Sequence, residues 1–336
     1  MSEMYRIVGA ELSPFSVKVR SFFRYKGIPH EWISRSLEVQ EEYATLFKVP
    51  IIPLVVAPDG TGMQDSSPLI ESIERIYPEP SIHPEDTVLY FISCLLEEFG
   101  DEWANKWMFH YRWARELDQQ NAATRIVRMM RPGVSESEDD LSQMAAQIAE
   151  RMTGRVWFVG SSEGTALQIE NGFQDAMSLL DKHLASRPYL LGERPCYGDF
   201  GLYAQVYNAT LDPTPAALIA ARYQNVLAWT QRMLWPRNEG DYESWDSLES
   251  SLAPLLRQQV GERFLSWSVA NQAAILRGAE EFTVELAGQD WTQKPQKYHA
   301  KSLESLRDKY ETISSKTALD EVLGSVGCLE AMARSR

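Results

Sequence analysis

A short polar corner near the start of the chain, Ser13-Pro14-Phe15-Ser16, is the feature that most constrains its fold. It follows an apolar run at residues 5–9 that has the pattern of a short buried strand, and it precedes an amphipathic segment that ends at Gly27. Proline is favoured at the first helical position and glycine just beyond the last one. The sequence therefore predicts a strand, a tight corner and a helix. Ser13 faces the unsatisfied N–H groups and the positive end of that helix, where an anion is held favourably.

Strand and helix patterns go on alternating as far as residue 78. A proline inside a central strand would delete a hydrogen bond of the sheet, so Pro53 is expected where its strand begins. The predicted order is βαβαββα. After the first helix, the segments are a strand at 30–34, a polar surface helix at 38–47, a strand starting at Pro53, a returning strand at 62–64 and a helix that opens at 65–68 and stops at Pro78.

Three motifs within this order resemble those of a known family. Ser-Pro-Phe-Ser resembles the Cys-Pro-Tyr/Phe-Cys corner of glutaredoxins with both sulfurs replaced by oxygen, and more closely the Ser-Pro-Phe corner of serine-type glutathione transferases. Ile52-Pro53-Leu54-Val55 looks like the Val-Pro-x-Leu segment whose proline is cis in that family, and Asp65-Ser66 looks like its acidic residue–serine pair. The resemblance implies a thioredoxin-like α/β domain that binds glutathione. The alternative is a domain with no thiol ligand, in which Ser13 only caps its helix.

The resemblance also implies roles for the residues of the corner. Ser13 is the expected catalytic residue: its hydroxyl does not titrate at neutral pH, so it would donate a hydrogen bond to the glutathione thiolate, assisted by the helix dipole. Phe15 belongs to the same glutathione site.

The other two motifs would hold the peptide. A cis bond before Pro53 would turn the N–H and C=O of Ile52 outward to pair with the cysteinyl backbone of glutathione. Asp65 would bind the γ-glutamyl ammonium, and Ser66, with the N–H groups that open its helix, the carboxylate of the same residue.

One region departs from the family pattern. Many members place a Lys, Arg or His near the second helix to meet the glycine carboxylate of glutathione, whereas residues 36–40 read Ser-Leu-Glu-Val-Gln. Arg35 or Lys48 would have to substitute, and Gln40 would contribute a neutral hydrogen bond.

The rest of the chain is mostly helical in pattern. Residues 1–78 form the predicted thioredoxin-like domain, 79–85 a proline-rich linker, 86–237 an all-helical domain of the kind that follows it in glutathione transferases, and 238–336 a mostly helical extension with a small β-hairpin near 282–291. The predicted helices span 86–116, 141–152, 167–185, 197–211 and 215–233, then a segment reaching 277, 297–310 and 319–332.

Three features of the helical region carry competing interpretations. Trp107 and Tyr111 share one helix face and either line an acceptor pocket or pack in the core. The acidic run at residues 97–102 is interpreted as a solvated face. Cys196 stands at a helix cap, where Asp199 would have to satisfy more of the first turn; it is either a buried structural thiol or a redox-sensitive one.

Composition narrows the function further. A chain of 336 residues accommodates about two domains. Its net charge of −14 argues against nucleic acid and anionic membrane as partners. Three distant cysteines and scattered histidines suggest neither a disulfide framework nor a metal. With no apolar run near the length of a membrane span, we expect a cytoplasmic protein. The family resemblance adds a homodimer.

The leading hypothesis is a glutathione S-transferase-like enzyme that stabilises the thiolate of its co-substrate glutathione for attack on an electrophilic, apolar acceptor. The alternative is a non-catalytic binding or scaffold protein with the same fold, favoured by the missing basic residue and the long extension. Thiol–disulfide exchange is disfavoured because Ser13 and Ser16 carry no sulfur.

Overall fold

The computed structural model describes residues 4–134 and 137–334. The predicted order βαβαββα is confirmed, and the four strands form one mixed sheet in the order β2-β1-β3-β4, with β1–β2 parallel and the other pairs antiparallel. The elements are β1 (Tyr5–Gly9), α1 (Pro14–Tyr25), β2 (His30–Ser34), α2 (Leu37–Glu42), β3 (Leu54–Val56), β4 (Gly62–Gln64) and α3 (Ser66–Ile76).

Alternation along the strands divides the core between the two faces of this sheet. Ile7 and Val55 belong to the large cluster that includes the apolar side chains of α1 and α3. Val8 and Leu54 point to the opposite face, where they join a smaller cluster with Tyr43. Helix α2 is shorter than predicted, because the chain leaves it at Tyr43 to pack there.

Helices make up the region after the linker, as predicted. They are α4 (Thr87–Phe99), α5 (Asn105–Ala114), α6 (Glu116–Met130), α7 (Glu138–Thr153), α8 (Ala166–His183), α9 (Tyr197–Ala209), α10 (Pro213–Arg222) and α11 (Gln224–Arg232). Every residue of helix α9 except Tyr207 is buried, and the helix packs against α1, α4, α5 and α11. Helix α6 was not predicted.

The single helix predicted over 215–233 is wrong, because the chain breaks at Tyr223 into α10 and α11. Distant aspartates supply the helix starts that make this break possible. Asp118 accepts the N–H of Thr214 at 2.8 Å, and Asp181 accepts that of Asn225 at 2.8 Å. These partners are remote in sequence, so the local pattern gives no sign of the break.

A π-helical turn, Gly100–Ala104, joins α4 to α5 where one helix was predicted. Gly100 permits the backbone of α9 to approach closely: a Cβ at Gly100 would lie 2.6 Å from the carbonyl carbon of Gly201. The wider turn directs Asp101 toward Lys18 of α1 and Glu102 toward His299 in the extension.

The extension contains the predicted β-hairpin. Its elements are α12 (Trp245–Leu255), a π-helical segment (Leu256–Leu265), α13 (Ser266–Leu276), β5 (Phe282–Leu286), β6 (Gln289–Gln293), α14 (Lys297–Thr312), α15 (Thr317–Ser325) and a short 3₁₀ turn (Glu330–Met332). The last helix ends earlier than predicted because Gly327 adopts a φ of +70°.

A buried lysine joins the extension to the helical domain. The ammonium of Lys106, in α5, lies 3.9 Å from the ring centre of Trp267 and within 6 Å of those of Trp103 and Trp291. Burial lowers its pKa to about 7. The three rings come from separate elements, so this contact fixes the extension against α5.

No helix within the two described ranges is both long and apolar enough to span a membrane. The domain boundaries at residues 78, 85 and 237 stay predictions.

Candidate functional site

Strand register brings the three sequence motifs to one edge of the sheet. Val8 pairs with Leu54, and Leu54 pairs with Gln64. The corner that carries Ser13 follows the end of β1, Pro53 precedes the start of β3, and Asp65 follows the end of β4. The antiparallel pairing therefore places all three at the same edge, beside the start of α1.

Ser13 occupies the N-cap of α1. Its Oγ accepts the N–H of Ser16 at 3.3 Å, and Pro14 is the first helical residue. Within the described part of the chain, the Ser13 hydroxyl donates to no protein acceptor. The proton is therefore available to an anion at the positive end of the helix. Phe15, half-buried, lies in the same first turn.

Arg112, from α5, holds this corner in place, and sequence reasoning missed it. Its Nη1 donates to the carbonyl oxygen of Leu12 at 2.8 Å, and its Nε donates to Asp212 at 2.8 Å. Its Nη2 donates to the backbone and side-chain oxygens of Asn208, both at 3.1 Å. Because Arg112 is buried and lies about a hundred residues from the corner, no local pattern indicates the contact.

The peptide bond between Ile52 and Pro53 is cis, as predicted. Of the residues in 4–134 and 137–334, none hydrogen-bonds to the N–H or C=O of Ile52. Gln64 braces the preceding loop: it accepts the N–H of Lys48 at 2.8 Å and donates to the C=O of Ile51 at 2.8 Å. The backbone of Ile52 is thus held firmly while its polar groups stay open to a ligand.

Asp65 adopts a φ of +73°, which is rare for a residue other than glycine. Such strained positions concentrate at ligand sites, where the surrounding structure holds them. Ser66, the first residue of α3, is buried next to it. The strained turn places a carboxylate beside the N–H groups of a helix start, an arrangement that suits a ligand carrying both an ammonium and a carboxylate.

A buried charge cluster lies directly beneath the start of α3. Lys18 forms ion pairs with Glu97 and with Asp101, the latter at 2.7 Å, and donates to Ser67 Oγ at 2.9 Å. Ser67 in turn donates to Glu97 at 2.6 Å.

The prediction that the acidic run at 97–102 is a solvated face is wrong, because all four of its carboxylates are buried. The π-helical turn aims Asp101 at Lys18 and Glu102 at the extension. The sequence signal was present in Lys18, a lysine set among apolar residues of α1.

The pKa shifts in this cluster follow from burial and pairing. Burial opposes the charge of Lys18, but Asp101 and Glu97 outweigh it and raise the pKa of the ammonium. Burial raises the pKa of Glu97 as well, and the charge of Lys18 overcomes it and lowers that pKa. The lysine therefore stays charged and fixes the first turn of α3 through Ser67.

Arg35 lies next to the loop that leads to Ile52. Its Nη2 donates to Gln40 Oε1 at 2.7 Å and approaches the carbonyl oxygen of Pro50 at 3.5 Å. Burial lowers the pKa of this guanidinium. The side chain is half-buried, so it presents a partly desolvated cation beside the open backbone groups of Ile52.

Trp107 and Tyr111 lie in the hydrophobic core, the alternative that their spacing left open. Each is 2% exposed, and both rings pack against Phe173.

Cys196 is buried, and burial raises the pKa of its thiol. Asp199 accepts the N–H of Cys196 at 2.9 Å and that of Leu190 at 3.0 Å. The Cys196 side chain faces the backbone N–H of Asp199 and completes a capping box.

Comparisons with known proteins agree with this architecture. Residues 7–81 match the family model for the glutathione S-transferase N-terminal domain, and residues 131–232 match that for the glutathione S-transferase C-terminal domain, together just over half of the chain. No curated protein matches the sequence.

Several solved structures resemble the chain at low identity. A glutathione S-transferase from Methylobacterium radiotolerans, solved with glutathione sulfonate, is 17% identical over 72% of this chain and 99% of its own, with a TM-score of 0.40. One from Methylobacillus flagellatus, solved with glutathione, is 17% identical over 68% of this chain and 94% of its own, with a TM-score of 0.40. A β-etherase from Sphingobium sp. is 15% identical over 68% and 94%, with a TM-score of 0.44.

Proposed function

The chain belongs to the glutathione S-transferase family, and we propose that it is an enzyme that binds glutathione and stabilises its thiolate for attack on an electrophilic, apolar acceptor. Ser13 is the proposed catalytic residue. Phe15, Ile52, Pro53, Asp65 and Ser66 form the proposed glutathione site.

The observation that carries this proposal is the meeting of three complementary groups at one sheet edge. The register of β1, β3 and β4 sets there a free hydroxyl at a helix start, an open backbone N–H and C=O at Ile52, and the carboxylate of Asp65. These groups match the thiolate, the cysteinyl backbone and the γ-glutamyl ammonium of glutathione. A single small thiol peptide satisfies all of them together.

Thiolate stabilisation is the chemistry that this site offers. A free thiol with a pKa near 8.5 is largely protonated at neutral pH, and a shift of about two units requires on the order of 2.7 kcal/mol. One hydrogen bond from Ser13 to the charged sulfur, together with the dipole of α1, supplies an amount of that size. The homodimer and the cytoplasmic location are further proposals that rest on the family resemblance and on composition.

Calorimetric titration of the protein with glutathione tests the proposal. We expect one glutathione to bind per chain, with a dissociation constant of about 10 µM to 1 mM. Absence of heat at several times the upper value, with the protein folded, would contradict the proposal and favour the non-catalytic alternative.

Replacing Arg35 by methionine is expected to raise the KM for glutathione about tenfold and to change kcat little. The guanidinium lies within 3.5 Å of the Pro50 carbonyl, beside the Ile52 edge, and is the proposed partner of the glycine carboxylate. The interaction is made equally before and during the reaction, so its loss appears in KM.

Lys48→Met tests the other cation that the sequence offered for this carboxylate; Lys48 is exposed and contacts the site through its backbone N–H, which the substitution keeps. We expect its KM to stay within about twofold of that of the wild type. Equal effects of the two substitutions would remove Arg35 from the site.

A further inference from the structure

Helix α14 follows the hairpin of the extension. It lies across the start of α3 and along α4. Four of its side chains contact acidic residues at the start of α3, within α3, in α4 or in the π-helical turn after α4. The pairs are Tyr298 with Asp65 at 3.0 Å, His299 with Glu102, Ser302 with Glu98, and Lys309 with Glu71 at 2.8 Å. Contacts at both ends of the helix fix its position relative to the glutathione-site residues.

Tyr298 is the member of this set that reaches the site. Its hydroxyl donates to Asp65 Oδ2, and in the described part of the chain no other group hydrogen-bonds to that carboxylate. Oδ1 therefore remains open. Partial burial, followed by the charge of Asp65, raises the pKa of the Tyr298 hydroxyl, so the phenol remains a donor throughout the physiological range.

Tyr298 as a whole residue is 55% exposed, so it lies at the surface beside Asp65 and not within the core. His299, the next residue in the same turn, is buried at 4% exposure, so the two side chains lie on different faces of α14. The helix thus offers one anchoring residue and one residue directed at Asp65.

We propose that Tyr298 is a positioning residue of the γ-glutamyl subsite: its phenol fixes one oxygen of Asp65 and leaves the other directed at the ligand ammonium, so that the extension completes the glutathione site. This inference rests on the proposed function. Asp65 already has a strained backbone, and a hydrogen bond to one oxygen restricts the carboxylate to a rotamer that is ready to bind. The extension then contributes to the affinity for glutathione through Tyr298, whereas Ser13 stabilises the thiolate.

Tyr298→Phe tests this directly, because it removes only the hydroxyl. We expect the KM for glutathione to rise about tenfold, as for loss of a hydrogen bond to a charged group, with kcat and its pH profile unchanged. In an Asp65→Ala background the same substitution should have no further effect on KM.

Tyr310→Phe provides the matched control. Tyr310 lies in the same helix and also donates to an aspartate, Asp320, at 2.6 Å, but far from Asp65. We expect its KM to equal that of the wild type.

The proposal is overturned if Tyr298→Phe leaves the KM for glutathione unchanged or lowers it, or if it lowers kcat instead. It is also overturned if Tyr310→Phe raises KM equally, or if Tyr298→Phe raises KM as much in the Asp65→Ala background as in the wild type. If the wild-type protein uses glutathione and Tyr298→Phe has the same KM and kcat, this inference alone is refuted. A wild-type protein that binds no glutathione refutes it together with the proposed function.

Discussion

Replacing Lys18 by methionine is expected to lower the free energy of unfolding by about 3–5 kcal/mol, because it leaves buried carboxylates without their cation. Lys18 and Glu97 are fully buried, and Asp101 nearly so. Urea denaturation of the two proteins measures the difference.

Two further variants separate this effect from the loss of a long side chain. Lys182→Met removes an exposed lysine from the last turn of α8 and is expected to change stability by less than about 1 kcal/mol. Adding Glu97→Gln and Asp101→Asn to Lys18→Met removes the unpaired charges and should restore part of the stability. A Lys18→Met protein as stable as the Lys182→Met protein would show that the cluster does not depend on its cation.

Replacing Ser13 by alanine is expected to lower the rate of glutathione addition to a generic aryl halide by up to about 50-fold near pH 6.5, with little change above about pH 9. The hydroxyl is proposed to stabilise the thiolate, so its loss shifts the thiol pKa upward. At high pH the thiol ionises without assistance, and the rates of the two proteins converge.

The serine also caps α1, and its loss is expected to cost about 1 kcal/mol of stability. Ser137→Ala reproduces that cost away from the site, because Ser137 caps α7 by accepting the N–H of Asp140 at 3.1 Å. The control should keep wild-type activity at every pH. Equal activity of Ser13→Ala and Ser137→Ala throughout would remove Ser13 from the mechanism.

Local patterns were sufficient to predict the first domain. Strand alternation, the proline after Ser13 and the glycine after α1 each act within a few residues, and the observed elements follow them closely. The same holds for the hairpin of the extension, whose turn residues are adjacent. The family resemblance implied that Ile52, Asp65 and Ser13 meet, and the register of β1, β3 and β4 brings them to one edge.

Structural features that depend on residues distant in sequence could not be predicted from local patterns. The break between α10 and α11 requires Asp118 and Asp181, which lie in other helices. The acidic run looked solvated because its partners, Lys18 in α1 and His299 in α14, are distant from it in sequence. A run of carboxylates has the same local sequence whether it is exposed to water or buried against a distant cation. Only the folded structure distinguishes the two cases.

The most direct test of the central claim is the pKa of the glutathione thiol bound to the wild-type protein, followed by the ultraviolet absorbance of the thiolate as pH is varied at saturating protein. The account predicts a value near 6.5, about two units below that of the free thiol, and a return toward the free value in Ser13→Ala. A bound thiol that titrates near 8.5 in the wild-type protein would contradict it.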